Sequence, residues 1–314
     1  MRRGDFAGAW RISDACLKDR LARGEPPHTG PRHLQSIWTG ESLAGKRVLV
    51  RCYHGLGDTV QFIRFVAPLR RLAKEVIVWV QPKLLQLART AAGVDQVIPL
   101  HDGTPDVVFD SEIESMELAH ALRVDEHTLA CPIPYLFPNL GKARLPNSGN
   151  EFSVGLVWRS GQWDDRRSIS AALLSRLSKV SGARLFSLQF GPAVAEAARI
   201  PALHVSSADI EEYAATLCQL DLLISVDTFA AHLAGALAVP VWLLLPSPCD
   251  WRWMKQRTDC VWYPTMRLFR QSRTGDWQPV LEHVAASLQA LVDACASREK
   301  NSWNKRLHLT FGVT

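Results

Sequence analysis

Apolar positions along this chain alternate between two periods. Residues 48–50 form a short continuous apolar run, whereas Val60, Ile63, Phe65, Val66 and Leu69 recur at the spacings of one helix face. Read this way, the chain predicts a helix over 6–21, a strand over 48–51, a helix over 59–73, a strand over 76–81 and a helix over 83–91. Short strands near 97–99 and 106–109 and a helix near 112–122 follow. After a stretch rich in proline, glycine and asparagine at 132–150, the alternation restarts. Strands are expected over 153–158, 184–189, 221–226 and 240–245, with helices over 170–180, 193–198, 208–219, 228–238 and 279–295. Strands alternating with helices specify parallel sheets covered on both faces.

The breaks divide the chain into a helical appendage (1–45), two α/β domains (46–150 and 151–296) and a polar, basic tail (297–314). A length of 314 residues suits two cores of ordinary size. Two consecutive α/β domains predict a site at their junction.

Composition narrows the function classes. Charged residues make up 21% and the formal net charge is +5, with Lys and Arg scattered along the chain. That suits an anionic small substrate or peripheral association with a membrane surface, and gives no reason to expect nucleic acid. Seven cysteines lie far apart with no zinc spacing, which predicts reduced thiols and a cytoplasmic location. The N-terminus carries no apolar signal core, and no stretch reaches the ~18 apolar residues of a spanning helix.

Five loops at the carboxyl ends of predicted strands carry candidate chemistry. In the first, Gly55 and Gly57 permit positive φ and close ligand approach, and Asp58 stands in the first turn of the next helix, either as a cap or as a functional acid. In the second, Asp227 and Thr228 open a small-residue helix whose N-terminal amides suit a diphosphate, with His232 one turn deeper. The alternative there is a capped helix and a packed histidine. The loop after 153–158 brings Arg166, Arg167 and Ser168, where cations at a strand mouth can neutralise a leaving diphosphate without a metal. The exit after 184–189 adds Gln189 and Gly191. Finally, Asp250 and Arg252 lie in an Asp-Trp-Arg-Trp segment suited either to stacking on a base or sugar or to packing.

Taken together, Gly-Leu-Gly-Asp-Thr-Val-Gln-Phe (55–62), Val-Gly-Leu-Val-Trp (154–158), Arg-Arg-Ser-Ile (166–169), Ser-Leu-Gln-x-Gly-Pro (187–192), the run from Ser225 to Leu237, and the segments 250–253 and 262–271 resemble glycosyltransferase family 9. More narrowly, they resemble the heptosyltransferase-like domain at the end of tetratricopeptide-repeat proteins, with residues 4–21 similar to a last repeat helix. The resemblance implies a GT-B fold of two Rossmann-like domains, with the acceptor on the first and the nucleotide-sugar donor on the second, and metal-independent transfer with inversion. On matching positions it makes Asp58 the general base, Arg167 a donor-site cation, and Thr228 with His232 part of the diphosphate-binding turn. The acceptor it implies is a hydroxyl of a glycan, a lipid-linked sugar or a protein, and no cofactor or metal is expected. Two positions depart from the family pattern: Phe229 stands where heptosyltransferases have glycine, and Phe190 where related sequences carry a polar or basic residue. Two further readings remain open at this stage, a non-catalytic nucleotide-sugar-binding module derived from a transferase and a GT-B epimerase or hydrolase.

Overall fold

The structure is a computed structural model describing residues 1–25, 42–129, 132–146, 149–161 and 164–297. Most of the breaker-rich stretch after the first helix, the basic tail and part of the predicted linker lie outside the described residues. The chain divides into two compact units, Met1–Pro138 and Asn139–Thr314.

The first unit begins with α1 (Phe6–Ala22), capped by the Asp5 carboxylate on the Gly8 amide at 2.7 Å. Its inner side docks through Phe6, 4% exposed, and through Trp10, whose indole donates to the Val124 carbonyl at 2.7 Å. Four parallel strands follow, β1 (Arg47–Arg51), β2 (Glu75–Val80), β3 (Gln96–Pro99) and β4 (Ser111–Glu114), in the spatial order 3-2-1-4. Between them run α2 (Leu56–Phe62), α3 (Val66–Arg70) and α4 (Leu85–Ala88), with α5 (Leu118–Ala121) after β4. One sheet face buries Leu49, Ile77 and Trp79 under Leu100, Val107 and Phe109, so the β3–β4 connection covers that face with loop.

Two expectations change here. The strand expected near 106–109 is absent, and β4 forms at Ser111–Glu114, within the stretch expected to be helical. Parallel pairing with β1, from Val48 opposite Ser111 to Arg51 opposite Glu114, overrides the polar sequence. Its charged residues are answered by partners, Arg51 on Glu112 and His54 on Glu114. The helix expected over 59–73 starts earlier and breaks into a 3₁₀ turn at Ile63–Phe65. The break places Pro68 in the first turn of α3, where its missing N–H has no helical partner to lose.

The second unit contains β5 (Phe152–Val157), α6 (Ala171–Leu174), β6 (Ala183–Ser187), β7 (Leu203–His204), α7 (Ile210–Leu217), β8 (Leu222–Val226), α8 (Phe229–Ala236), β9 (Val241–Leu245), β10 (Met266–Arg270) and α9 (Gln278–Ser297). The six strands are parallel in the order 7-6-5-8-9-10. Strand alternation supplies a core of Val154, Leu156, Leu222, Ile224 and Leu244, joined by Leu174 of α6 and Leu281, Val284 and Leu288 of α9. The helix expected over 170–180 is α-helical only to Leu174, then 3₁₀. Ser175 and Ser178 donate their hydroxyls back to the carbonyls of Ala172 and Ser175, both at 2.7 Å, and so compete with the helical ladder. The segment expected as a helix at 193–198 is likewise 3₁₀, over Gly191–Arg199.

Candidate functional site

Each sheet reverses its winding at one place, and ligands of open α/β sheets bind outside the carboxyl ends of the strands at such a point. In the first unit the reversal falls between β1 and β4, where the Asp58 loop leaves β1. In the second it falls between β5 and β8, where the loops holding Arg167 and Asp227 leave.

Asp58 is the third residue of α2, and its Oδ2 accepts the Gly55 N–H at 3.1 Å. Neither Gly55 nor Gly57 adopts positive φ, contrary to the sequence expectation; Gly55 sits at φ −64° and Gly57 within the helix. The glycine at 55 has another use: a Cβ there would stand 3.3 Å from Asp58 Oδ2 and crowd the carboxylate. The His54–Gly55 peptide is held on both edges. Its N–H binds Asp58, and its carbonyl accepts from Gln81 Nε2 at 2.7 Å, while Gln81 Oε1 accepts from the Thr59 hydroxyl at 2.9 Å. Gln81, at the end of β2, is a residue that sequence reasoning missed; its signal is a polar amide closing an apolar strand.

From β4 the buried Glu114 carboxylate meets His54 Nε2 at 3.3 Å and accepts from Ser115 Oγ and the Met116 amide, both at 3.1 Å. Glu117 beside it is pushed up to about 7 by burial and by the charge of Glu114, against an opposing pull from His54. A raised carboxyl favours the fold in its protonated form. That contribution is complete below about pH 4.5 and is lost as the pH rises through 7. Glu117→Gln should therefore match the parent near pH 4 and exceed it by about 1 kcal/mol at pH 8 in urea unfolding, after allowance for partial solvent access. Equal stabilities at pH 8 would refute the assignment.

At the second switch point Thr228 is the N-cap of α8, with extended φ of −148°. Its hydroxyl pairs with Ser225 Oγ at 3.1 Å, and the intrahelical bonds begin with the amides of Ala231 and His232 on the Thr228 carbonyl. The amides of Phe229 and Ala230 precede them, at the positive end of the helix. Asp227, 6% exposed, is raised by burial. Arg167 opposes that shift: its Nη1 donates to the Asp227 carbonyl at 3.0 Å and lies 3.7 Å from Oδ2. The Trp253 indole N–H also favours the ionised form. His232 is a packed residue, 6% exposed. Its Nδ1 pairs with the Tyr263 hydroxyl at 3.0 Å, its Nε2 is 3.8 Å from Asp227 Oδ1, and Trp253 stacks on its ring at 5.3 Å.

The remaining predicted residues divide. Gln189, 4% exposed, accepts the Trp158 and Arg159 amides at 3.0 and 2.9 Å and donates to the Phe190 carbonyl at 3.0 Å, so it ties the β5 and β6 exits together. Gly191 takes φ +70°, as its residue type allows. Ser168 receives the Ser160 amide at 3.2 Å and closes its loop. Arg166 is exposed and forms a two-point pair with Asp164, away from Asp227. Asp250 caps the turn at Trp251–Trp253 by accepting the Arg252 amide at 3.0 Å, and the Arg252 guanidinium pairs with it while lying over Trp251. The two departures from the family pattern meet: Phe190 lies 4.5 Å and Phe229 6.3 Å, centroid to centroid, from the buried ring of Tyr213. Phe229 thus packs on α7.

No protein-family profile matches the chain. Among curated proteins it is 25% identical to Protein FlbA of Caulobacter vibrioides, over 80% of this chain and 48% of that protein, so the chain spans about half the length of that relative. Among solved structures it resembles a glycosyl transferase family 9 protein of Veillonella parvula, with a TM-score of 0.60 at 12% identity, over 81% of this chain and 99% of the other. It also resembles the ADP-heptose lipopolysaccharide heptosyltransferase II of E. coli (TM-score 0.56, 13% identity, 80% and 99% coverage). A third is the E. coli heptosyltransferase WaaC, solved with ADP-2-deoxy-2-fluoro heptose (TM-score 0.50, 14% identity, 79% and 99% coverage). With its two parallel sheets, each reversing at a loop that carries candidate chemistry, the chain has the GT-B fold of these glycosyltransferases.

Proposed function

We propose that this protein is a metal-independent, inverting glycosyltransferase. It moves a sugar from a nucleotide-diphospho-sugar to a hydroxyl of a glycan, lipopolysaccharide or protein. The observation that carries the reading is Asp58, held by the Gly55 amide at the switch point of the first sheet. A carboxylate placed there accepts the acceptor proton as the new bond to the anomeric carbon forms. In the second unit the α8 N-terminus and Arg167 supply positive charge where a diphosphate leaving group gathers negative charge. ADP-heptose is the first donor to try, because WaaC was solved with an ADP-heptose analogue.

Among the described residues no helix is long and apolar enough to cross a membrane. We place the reaction in the cytoplasm, with peripheral contact to a membrane where the acceptor is lipid-linked.

A panel of nucleotide sugars, each incubated with and without cell-envelope glycans, tests the proposal. Acceptor-dependent release of nucleotide from one donor supports it; donor binding with no turnover on any acceptor favours a non-catalytic module. Activity should persist in EDTA, since helix amides and a guanidinium carry the charge. A rate lost in EDTA and restored by magnesium or manganese would overturn the metal-independent mechanism.

A further inference from the structure

At the end of the segment between β1 and α2, His54 and Gly55 are held by three contacts, and one of them depends on pH. Gln81 holds the His54 carbonyl and Asp58 holds the Gly55 N–H; neither contact requires a charge on His54. The third anchor is the His54 side chain. Its Nε2 stands 3.3 Å from Glu114 Oε1, with the imidazole 27% exposed and the carboxylate side chain 4% exposed. An imidazole forms an ion pair with a carboxylate only while protonated, and the pair is strongest when one partner is screened from water. His54 contributes its carbonyl to the same peptide plane whose N–H orients Asp58. A change in the side-chain anchor is therefore transmitted to the Asp58 carboxylate through one rigid unit.

We propose that His54 is the positioning residue of the Asp58 loop: its protonated pair with Glu114 fixes the His54–Gly55 peptide, and through the Gly55 amide the orientation of Asp58. This rests on the reading of Asp58 as the base. The consequence is a loop whose geometry relaxes as His54 loses its proton.

The other groups facing His54 differ in what they do over that range. Cys52, on the same segment, is pushed up to about 12 by burial and the nearby Glu114, and stays a neutral thiol. Glu117, on the turn after β4, acquires charge near pH 7 and then helps retain the proton on His54. Asp58 lies on α2, ahead of the wholly buried residues Thr59 to Phe62. Beyond Glu117, His120 Nδ1 lies 3.9 Å from its carboxylate and pairs through Nε2 with Asp14 of α1 at 2.8 Å.

The test is an NMR titration of the deuterated, ¹⁵N-labelled full chain between about pH 5 and 8, following the His54 imidazole and the Gly55 amide together. The Gly55 amide should shift with the same midpoint as the imidazole. That shift should be lost in His54→Gln and move to a lower midpoint in Glu114→Gln, while Glu117→Gln retains it. A Gly55 amide that stays flat through the His54 titration, or moves unchanged in His54→Gln, overturns the proposal. If a variant does not fold, the parent titration decides alone. Neither donor nor acceptor is added, so a negative result here is separate from failure of the transferase reading, which the turnover panel decides.

Discussion

Asp58→Asn should lower transfer by about 10²- to 10⁴-fold, the range expected for removing a positioned general base. The amide has nearly the shape of the carboxylate, and its oxygen can still accept the Gly55 N–H now bound by Oδ2 at 3.1 Å. Helix α2 therefore keeps its N-terminal contact, and the residues it buries, Thr59 to Phe62, are untouched. What the amide cannot do is take up a proton. The expected pattern is a collapse of turnover with the melting temperature and the donor dissociation constant close to the parent's. Asp58 has a structural contact as well as a proposed chemical one, so the two measurements must be made together. A rate near the parent's would reduce Asp58 to a cap, and a drop in turnover accompanied by unfolding would assign the loss to α2.

Thr228→Glu should weaken donor binding by about 2 kcal/mol or more, roughly thirtyfold, by setting a carboxylate against the diphosphate in a partly desolvated site. Thr228 is half-buried at the N-cap of α8, with the buried Asp227 immediately before it. Asp227 already has its pKa raised by burial, and Arg167 is the nearest compensating cation. A second acid raises the negative charge facing the ligand without adding a partner for it. The helix tolerates the change, because an acid at its N-terminus lies favourably in the dipole. The lost Ser225–Thr228 hydroxyl contact is worth about 1 kcal/mol. Calorimetry with the nucleotide sugar reads the affinity, and thermal melting reads the helix. Unchanged affinity would move the diphosphate elsewhere.

The buried strands were the most legible part of the sequence. In β5, β8 and β9, apolar runs end at Arg159, Asp227 and Pro246, and a parallel strand covered on both faces permits little else. Strand β4 was not legible, because Ser-Glu-Ile-Glu has no strand pattern of its own and becomes a strand only beside β1, with Arg51 and His54 near its acids. Strand β7 is two exposed residues on an edge, too short to carry a period. For the site, residue type and place after a strand identified the loops, but could not say which way each side chain turns. Arg167 reaches Asp227 while its neighbour Arg166 turns back to Asp164, a choice made by local carboxylates. Gln189 reads as a ligand contact until its amide is seen holding two adjacent strand exits. His54, Gln81 and Glu114 act as a group only because three parallel strands end side by side, and they are far apart in sequence.

The meeting of Phe190 and Phe229 on Tyr213 couples two positions that lie far apart in the sequence. Phe190 follows β6, Tyr213 belongs to α7 and Phe229 opens α8, so three separate connections share one aromatic column. A glycine placed at 229 alone would leave the Tyr213 ring without one neighbour, and a polar residue placed at 190 alone would remove the closer of these two aromatic partners. Each change costs packing that the other does not repair. Positions 190 and 229 are therefore expected to change together, aromatic together or small and polar together.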